Sequence, residues 1–192
     1  MKKDKIPEEI LDEYFFDDGS DYKMSQLIHD SRENYASVGN WLYLGADNRN
    51  PKFAKVGITG GDLSSRSYSS ASPGYYLFCA FKFKYNIPKS VMESVEADVL
   101  NRLDEYWCNE SNGAERLFHY ESNVLSECFD GVDFLEFYKD LHYLIYTHHR
   151  DKFQISGYEE NEFDEGNLEF VVCIFNKRLP KKDREYIEMI LQ

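Results

Sequence analysis

The spacing of apolar side chains changes several times along this 192-residue chain, and each change predicts an element. PEEILDEYFF (7–16) reads as a short helix with Pro7 at its start, where a missing N–H costs little. Residues 22–35 are a second helical candidate. GNWLYLGA (39–46) reads as a strand, DNRNPK (47–52) as a turn, and FAKVGIT (53–59) as the returning strand of a hairpin. A Gly-Gly break and a short serine-rich helix over 62–71 follow. YYLFCAFKFKY (75–85) predicts a third strand, with lysine at alternate positions near its end. Beyond NIPKS lies the strongest helix, 90–107, where Ser90 followed by Glu93 has the spacing of a capping box. The tail predicts a helix near 133–149, a strand near 168–175 and a helix near 181–191, with the acidic loop GYEENEFDEGN before the strand. Residues 1–38 thus read as an acidic helical N-terminal extension, and 121–192 as an acidic C-terminal α/β extension packed on the middle of the chain.

The helix at 90–107 carries one misplaced charge. At about 100° per residue, Met92, Val95, Val99, Leu100, Leu103, Tyr106 and Trp107 share one apolar arc. Ser94, Asp98, Asn101, Arg102 and Glu105 take the other side, but Glu96 falls inside the arc. An ionised carboxylate there costs free energy unless something pairs with it. One reading is structural: a buried salt bridge, or a carboxylate at the open edge of the stripe. The other is chemical: a metal ligand or catalytic acid at the floor of a cleft. A single carboxylate suits Mg2+, which keeps several waters and is often completed by substrate phosphate oxygens. That ion is a Lewis acid in phosphodiester cleavage. Arg66 can supply a fixed cation facing the charge that grows on phosphate oxygens. Tyr43 can supply a phenolic oxygen to orient or deprotonate water, given a nearby cation to lower its pKa. Taken singly, strand tyrosines usually pack and arginines usually solvate.

Composition narrows the class. Hydrophobic residues make up 42% and aromatics 16%, enough to build a packed core. MKKDKIPEEI turns from basic to acidic with no apolar run, so no secretory leader is expected, and no window approaches a membrane span. Cys79, Cys108, Cys128 and Cys173 lie far apart without a CxxC, as reduced thiols of a cytoplasmic protein would. The net charge of -13 argues against nucleic acid until its distribution is read. Arg49, Lys52, Lys55, Arg66, Lys82, Lys84 and Lys89 fall between 49 and 89 against Asp62 alone, while both flanks are acidic. A basic island of this kind is compatible with phosphate binding at one face, although solvated strands also use lysine.

In order, the chain reads WLYLGA (41–46), KVGIT (55–59), Arg66, SSASPGYYLFCAFKF (69–83), VEADVLNRL (95–103) and GAERLF (113–118). This order and spacing resembles the GIY-YIG nuclease superfamily, in particular its phage-associated branch, over residues 40–120. The resemblance implies an α+β class: a small three-stranded antiparallel sheet flanked by helices, here with N- and C-terminal α/β extensions. It implies that 39–120 is the nuclease core and that Tyr43, Arg66 and Glu96 are its catalytic set, with Glu96 holding Mg2+ or Mn2+. Gly57 matches the glycine where the backbone must pass closely. Lys52, Lys55, Gly57, Lys82 and Lys84 are then the substrate-binding candidates. Glu115 and Phe118 match the terminal motif, with a mostly structural role. Three positions depart from the pattern. Trp41 stands where the family has glycine, Lys55 where it has its second tyrosine, and Leu100 where a histidine often follows the helix glutamate.

Other signals are weaker. His148-His149-Arg150 hints at an HNH nuclease without a later histidine to complete it, and a helix C-terminus suits these residues through its dipole. His29-Asp30 lacks companion ligands, and ITGG and SNGAE are too poor for a phosphate loop. His119 reads as a surface histidine, and the 15 tyrosines as core residues before stacking platforms. Two functions fit the whole pattern. One is a cytoplasmic, Mg2+-dependent DNA endonuclease, phage or mobile-element encoded. It would bind DNA through the 49–89 face and keep the acidic flanks for a protein partner or a homodimer. The other is a catalytically inactive protein of the same fold whose acidic surface binds a basic protein or mimics DNA.

Overall fold

Strands β1 (Ala36–Asp47), β2 (Ala54–Gly60) and β3 (Tyr75–Lys84) form where the aromatic and β-branched runs predict them. The computed structural model describes residues 36–61, 63, 72–85, 87–108, 113–158, 168–176, 178 and 179. The proposed helices at 7–16, 22–35 and 181–191, and the serine-rich segment 62–71 apart from Leu63, lie outside those residues. The DNRNPK turn behaves as its side chains dictate. Asp47 accepts the Arg49 N–H at 2.8 Å, Asn50 accepts the Lys52 N–H at 3.1 Å, and β2 returns antiparallel to β1 with Tyr43 opposite Gly57. β3 pairs with the other side of β1, placing Lys82 opposite Trp41 and Ala80 opposite Tyr43.

Helix α1 (Lys89–Trp107) buries Met92, Val95, Val99, Leu100, Leu103 and Trp107. The expected capping box does not form. Pro88 is the N-cap, so Ser90 already lies inside the first turn, and Glu93 pairs with Lys89 at 2.9 Å instead. Tyr106 shares the apolar arc yet stays 59% exposed, its ring edge-on to Trp107 at the helix end. Helix α2 (Phe134–His149) does have a side-chain cap: Asp133 accepts the N–H groups of Leu135 and Glu136, both at 3.2 Å.

The sheet is not limited to three strands. Strands β4 (Glu115–Phe118), β5 (Leu125–Asp130), β6 (Ile155–Tyr158), β7 (Leu168–Val171) and β8 (Cys173–Phe175) follow. An antiparallel six-stranded sheet runs β4-β5-β2-β1-β3-β8, beside a two-stranded β6-β7 sheet. The protein is α+β, with two α-helices among the described residues. Strands on both sides of residue 120 share the large sheet because Phe129, Phe137, Leu141 and Ile145 bury against the same core as Leu42 and Leu44. The expected strand at 168–175 divides at Val172. Its N–H goes to Gln154 at 2.9 Å, while its carbonyl accepts from Lys82, so β7 and β8 serve different sheets.

Both helices contribute to one core with β1, β2 and β3. Alternation along β1 sends Trp41 and Tyr43 to the opposite face, where they cluster with Leu77, Ala80 and Leu63. Lys55 and Gly57 of β2, and Lys82 and Lys84 of β3, share that second face by register.

Candidate functional site

The site forms where the sheet splits. Among the described residues, β5 pairs with β2 at Ala54 and Lys55, and its ladder does not continue along that edge toward Gly60. An open strand edge presents polar backbone groups that need partners. Glu96 supplies one, its Oε1 accepting the Ile58 N–H at 2.9 Å. The misplaced charge of α1 therefore reaches the sheet edge instead of ending among apolar side chains, and it stays half-buried. Burial, reinforced by the negative charge of Glu127, pushes its carboxyl up to about 7. The Ile58 N–H and the more distant Lys55 act in the opposite direction, and Glu93 adds to the rise.

Tyr43 arrives at this edge from the other face. Its Cα is opposite Gly57, and a Cβ at residue 57 would meet the Tyr43 hydroxyl at 2.6 Å and ring Cζ at 2.7 Å. The missing side chain lets the phenol ring lie across β2, so its hydroxyl sits beside the residue preceding Ile58. This is the close passage for which the KVGI glycine exists. Lys55, on the same face as Gly57, pairs with Glu127 of β5 at 3.3 Å across the split. Burial alone would lower the Lys55 pKa, but Tyr43, Glu127 and Cys128 outweigh it, and the ammonium is held above its ordinary value.

The structure brings Tyr43, Lys55, Gly57 and Glu96 to one edge. Arg66 lies outside the described residues. Lys52 is exposed at the far end of β2, in the hairpin turn, its carbonyl accepting the Val132 N–H at 3.1 Å. Lys82 sits 5.2 Å over the Trp41 ring, which accounts for the aromatic at that position. Lys84 lies further along β3 on the same face. Leu100 is 5% exposed and belongs to the core. Glu115 and Phe118 lie on β4.

The pattern of residues did not single out Glu127. Its signal was the alternation in LSECFD, where Phe129 turns inward and Glu127 shares its parity. His149 finds a structural role: its Nε2 lies 2.8 Å from Asp98, which also accepts from Arg102 at 2.7 Å. The Arg102 bond first, with His149 adding to it, holds the Asp98 carboxyl below its usual value.

No protein-family model, no characterised protein and no solved structure matches this chain. Among the described residues, no three potential metal-ligating side chains cluster, and no helix is long and apolar enough to cross a membrane.

Proposed function

We propose that this protein is a divalent-cation-dependent endonuclease that cleaves DNA phosphodiester bonds at the open edge of β2, with Tyr43, Arg66 and Glu96 as its reacting groups. It rests on the GIY-YIG resemblance of residues 40–120, including that superfamily's three-stranded core, and places the protein in the cytoplasm of a phage- or mobile-element-carrying cell. The single observation that carries it is the placement of Glu96: a half-buried carboxylate bound to the Ile58 N–H, one residue along β2 from the Gly57 that the Tyr43 hydroxyl overlies.

The residues suit a hard cation. One Glu96 oxygen is occupied by the backbone, and no described side chain pairs with the other. One or two carboxylates with water suffice for Mg2+. When bound, Mg2+ or Mn2+ would be held by Glu96 and would neutralise charge on the phosphate oxygens as a Lewis acid. Tyr43 orients the attacking water and receives its proton once ionised beside the Lys55 ammonium, which favours the phenolate. A water–phosphorus bond forms, the ester P–O bond breaks, and the departing alkoxide takes a proton from solvent. Arg66, in the role the resemblance gives it, would stabilise the charge that accumulates on the phosphate. Lys55, Lys82 and Lys84 bind neighbouring phosphates on the face they share with Tyr43.

Two observations favour a second reading, a non-catalytic interaction protein of the same fold. Tyr43 keeps only 4% of its surface, and Lys55 is tied to Glu127. Plasmid nicking separates the two. With Mg2+ the wild type should nick, and Glu96→Ala, Arg66→Ala and Tyr43→Phe should each lose about a hundredfold or more in rate. A wild-type protein that cuts neither plain nor modified phage-type DNA sinks the nuclease and leaves the interaction protein.

A further inference from the structure

We propose that the β4–β5 hairpin is a stacking platform for unpaired bases of the substrate strand, an inference that rests on the nucleic-acid reading above. Phe118 pairs across the hairpin with Leu125. The turn between them is closed by His119 N–H to Val124 O and Asn123 N–H to His119 O, both 2.8 Å, with Asn123 at φ 54. On this tight turn Phe118 is 59% exposed, Val124 59% and Tyr120 100%. Apolar groups presented together on a closed turn mark a contact surface.

The hairpin is stiff at its base. Arg116 Nε donates to the Ser126 carbonyl at 2.7 Å, and its guanidinium lies 5.9 Å over the Phe129 ring. A turn backbone anchored this way loses little entropy when its side chains engage a ligand. Their place is beside the proposed site. β5 leaves β2 after the Lys55–Cys128 pair, and Leu125 is two residues from Glu127, which reaches back to Lys55. The tip therefore flanks the same split that holds Glu96.

Charge selects the occupant. The sheet side of the split carries Lys55, Lys82 and Lys84, whereas the hairpin side carries Glu115, Glu121 and Glu127. A nucleic-acid strand has the same two-sidedness, with anionic phosphates along one side and uncharged π faces along the other. The lysines take the phosphates and the rings take the bases. A duplex would present its phosphates to the hairpin carboxylates with its bases turned inward. A second copy of the hairpin would bring like charges together.

Binding measured without divalent cations reads this apart from cleavage. The probes are a labelled oligothymidylate, a perfect duplex of equal length, and a single strand carrying 2-aminopurine. The wild type should prefer the single strand and quench 2-aminopurine. Tyr120→Ser and Phe118→Ser should each weaken single-strand binding by about tenfold. Tyr120→Phe, which keeps the ring, should retain it. Both side chains are exposed, so the variants should unfold at the wild-type temperature. Unchanged single-strand affinity in the serine variants, an equal loss on duplex, or capture of polylysine in place of DNA overturns the proposal. Stacking without nicking in Mg2+ defeats the nuclease and keeps the platform; nicking with normal binding by the serine variants does the reverse.

Discussion

Glu96 is an acid held between the apolar arc of α1 and the Ile58 N–H of β2. Its angular position on α1 marks it as anomalous from the residues alone, because helical periodicity is a local property. Its partner, the Ile58 N–H thirty-eight positions earlier, depends on where β5 stops pairing with β2. The consequence is a pH dependence. The folded carboxyl titrates near 7, against 4.5 for an ordinary one, so the native state holds more protons between those values. The stability this group contributes is complete below 4.5 and is lost as pH rises through about 7. Glu96→Gln escapes that loss. Relative to wild type, it should gain roughly 1 kcal/mol in urea unfolding between about pH 5 and about pH 8, the full linkage value being reduced by solvent screening. A difference independent of pH would contradict the burial of this charge.

Strands and helices were legible where period and turn chemistry agree. β1, β2 and β3 form as expected, and α1 buries six of the seven residues of its apolar arc. The capping box failed because two residues with the right spacing do not decide which of them starts a helix, and Pro88 starts it earlier. Strand β2 carries the sharper test. Gly57→Ala puts a methyl group where the Tyr43 ring lies, and that ring is confined by Trp41 and Leu77. The variant should lose about 1–3 kcal/mol in chemical denaturation and reduce any nicking activity, since overpacking must move the ring. A fully stable Gly57→Ala protein would show that the ring moves aside freely.

At the scale of the molecule, β5, β8 and α2 complete a core begun by residues 39–107. A chain ending at residue 120 would uncover Leu42, Leu44, Phe78 and Phe81, which α2 and Phe129 help to bury. It should aggregate or lack a cooperative unfolding transition, whereas the intact chain should unfold in one step by circular dichroism. Cooperative folding of the shorter chain would show that the additional strands are dispensable.

The residues alone determined the hairpin, the principal helices, the basic island and the anomalous glutamate, because each depends on neighbours a few positions away. Only the tertiary structure decided that the sheet has six strands, that it opens beside β2, and that Glu127 and Lys55 meet across the gap. Strand pairing between distant segments is set by which apolar faces share a core. That competition is settled by the whole chain and leaves no local signature.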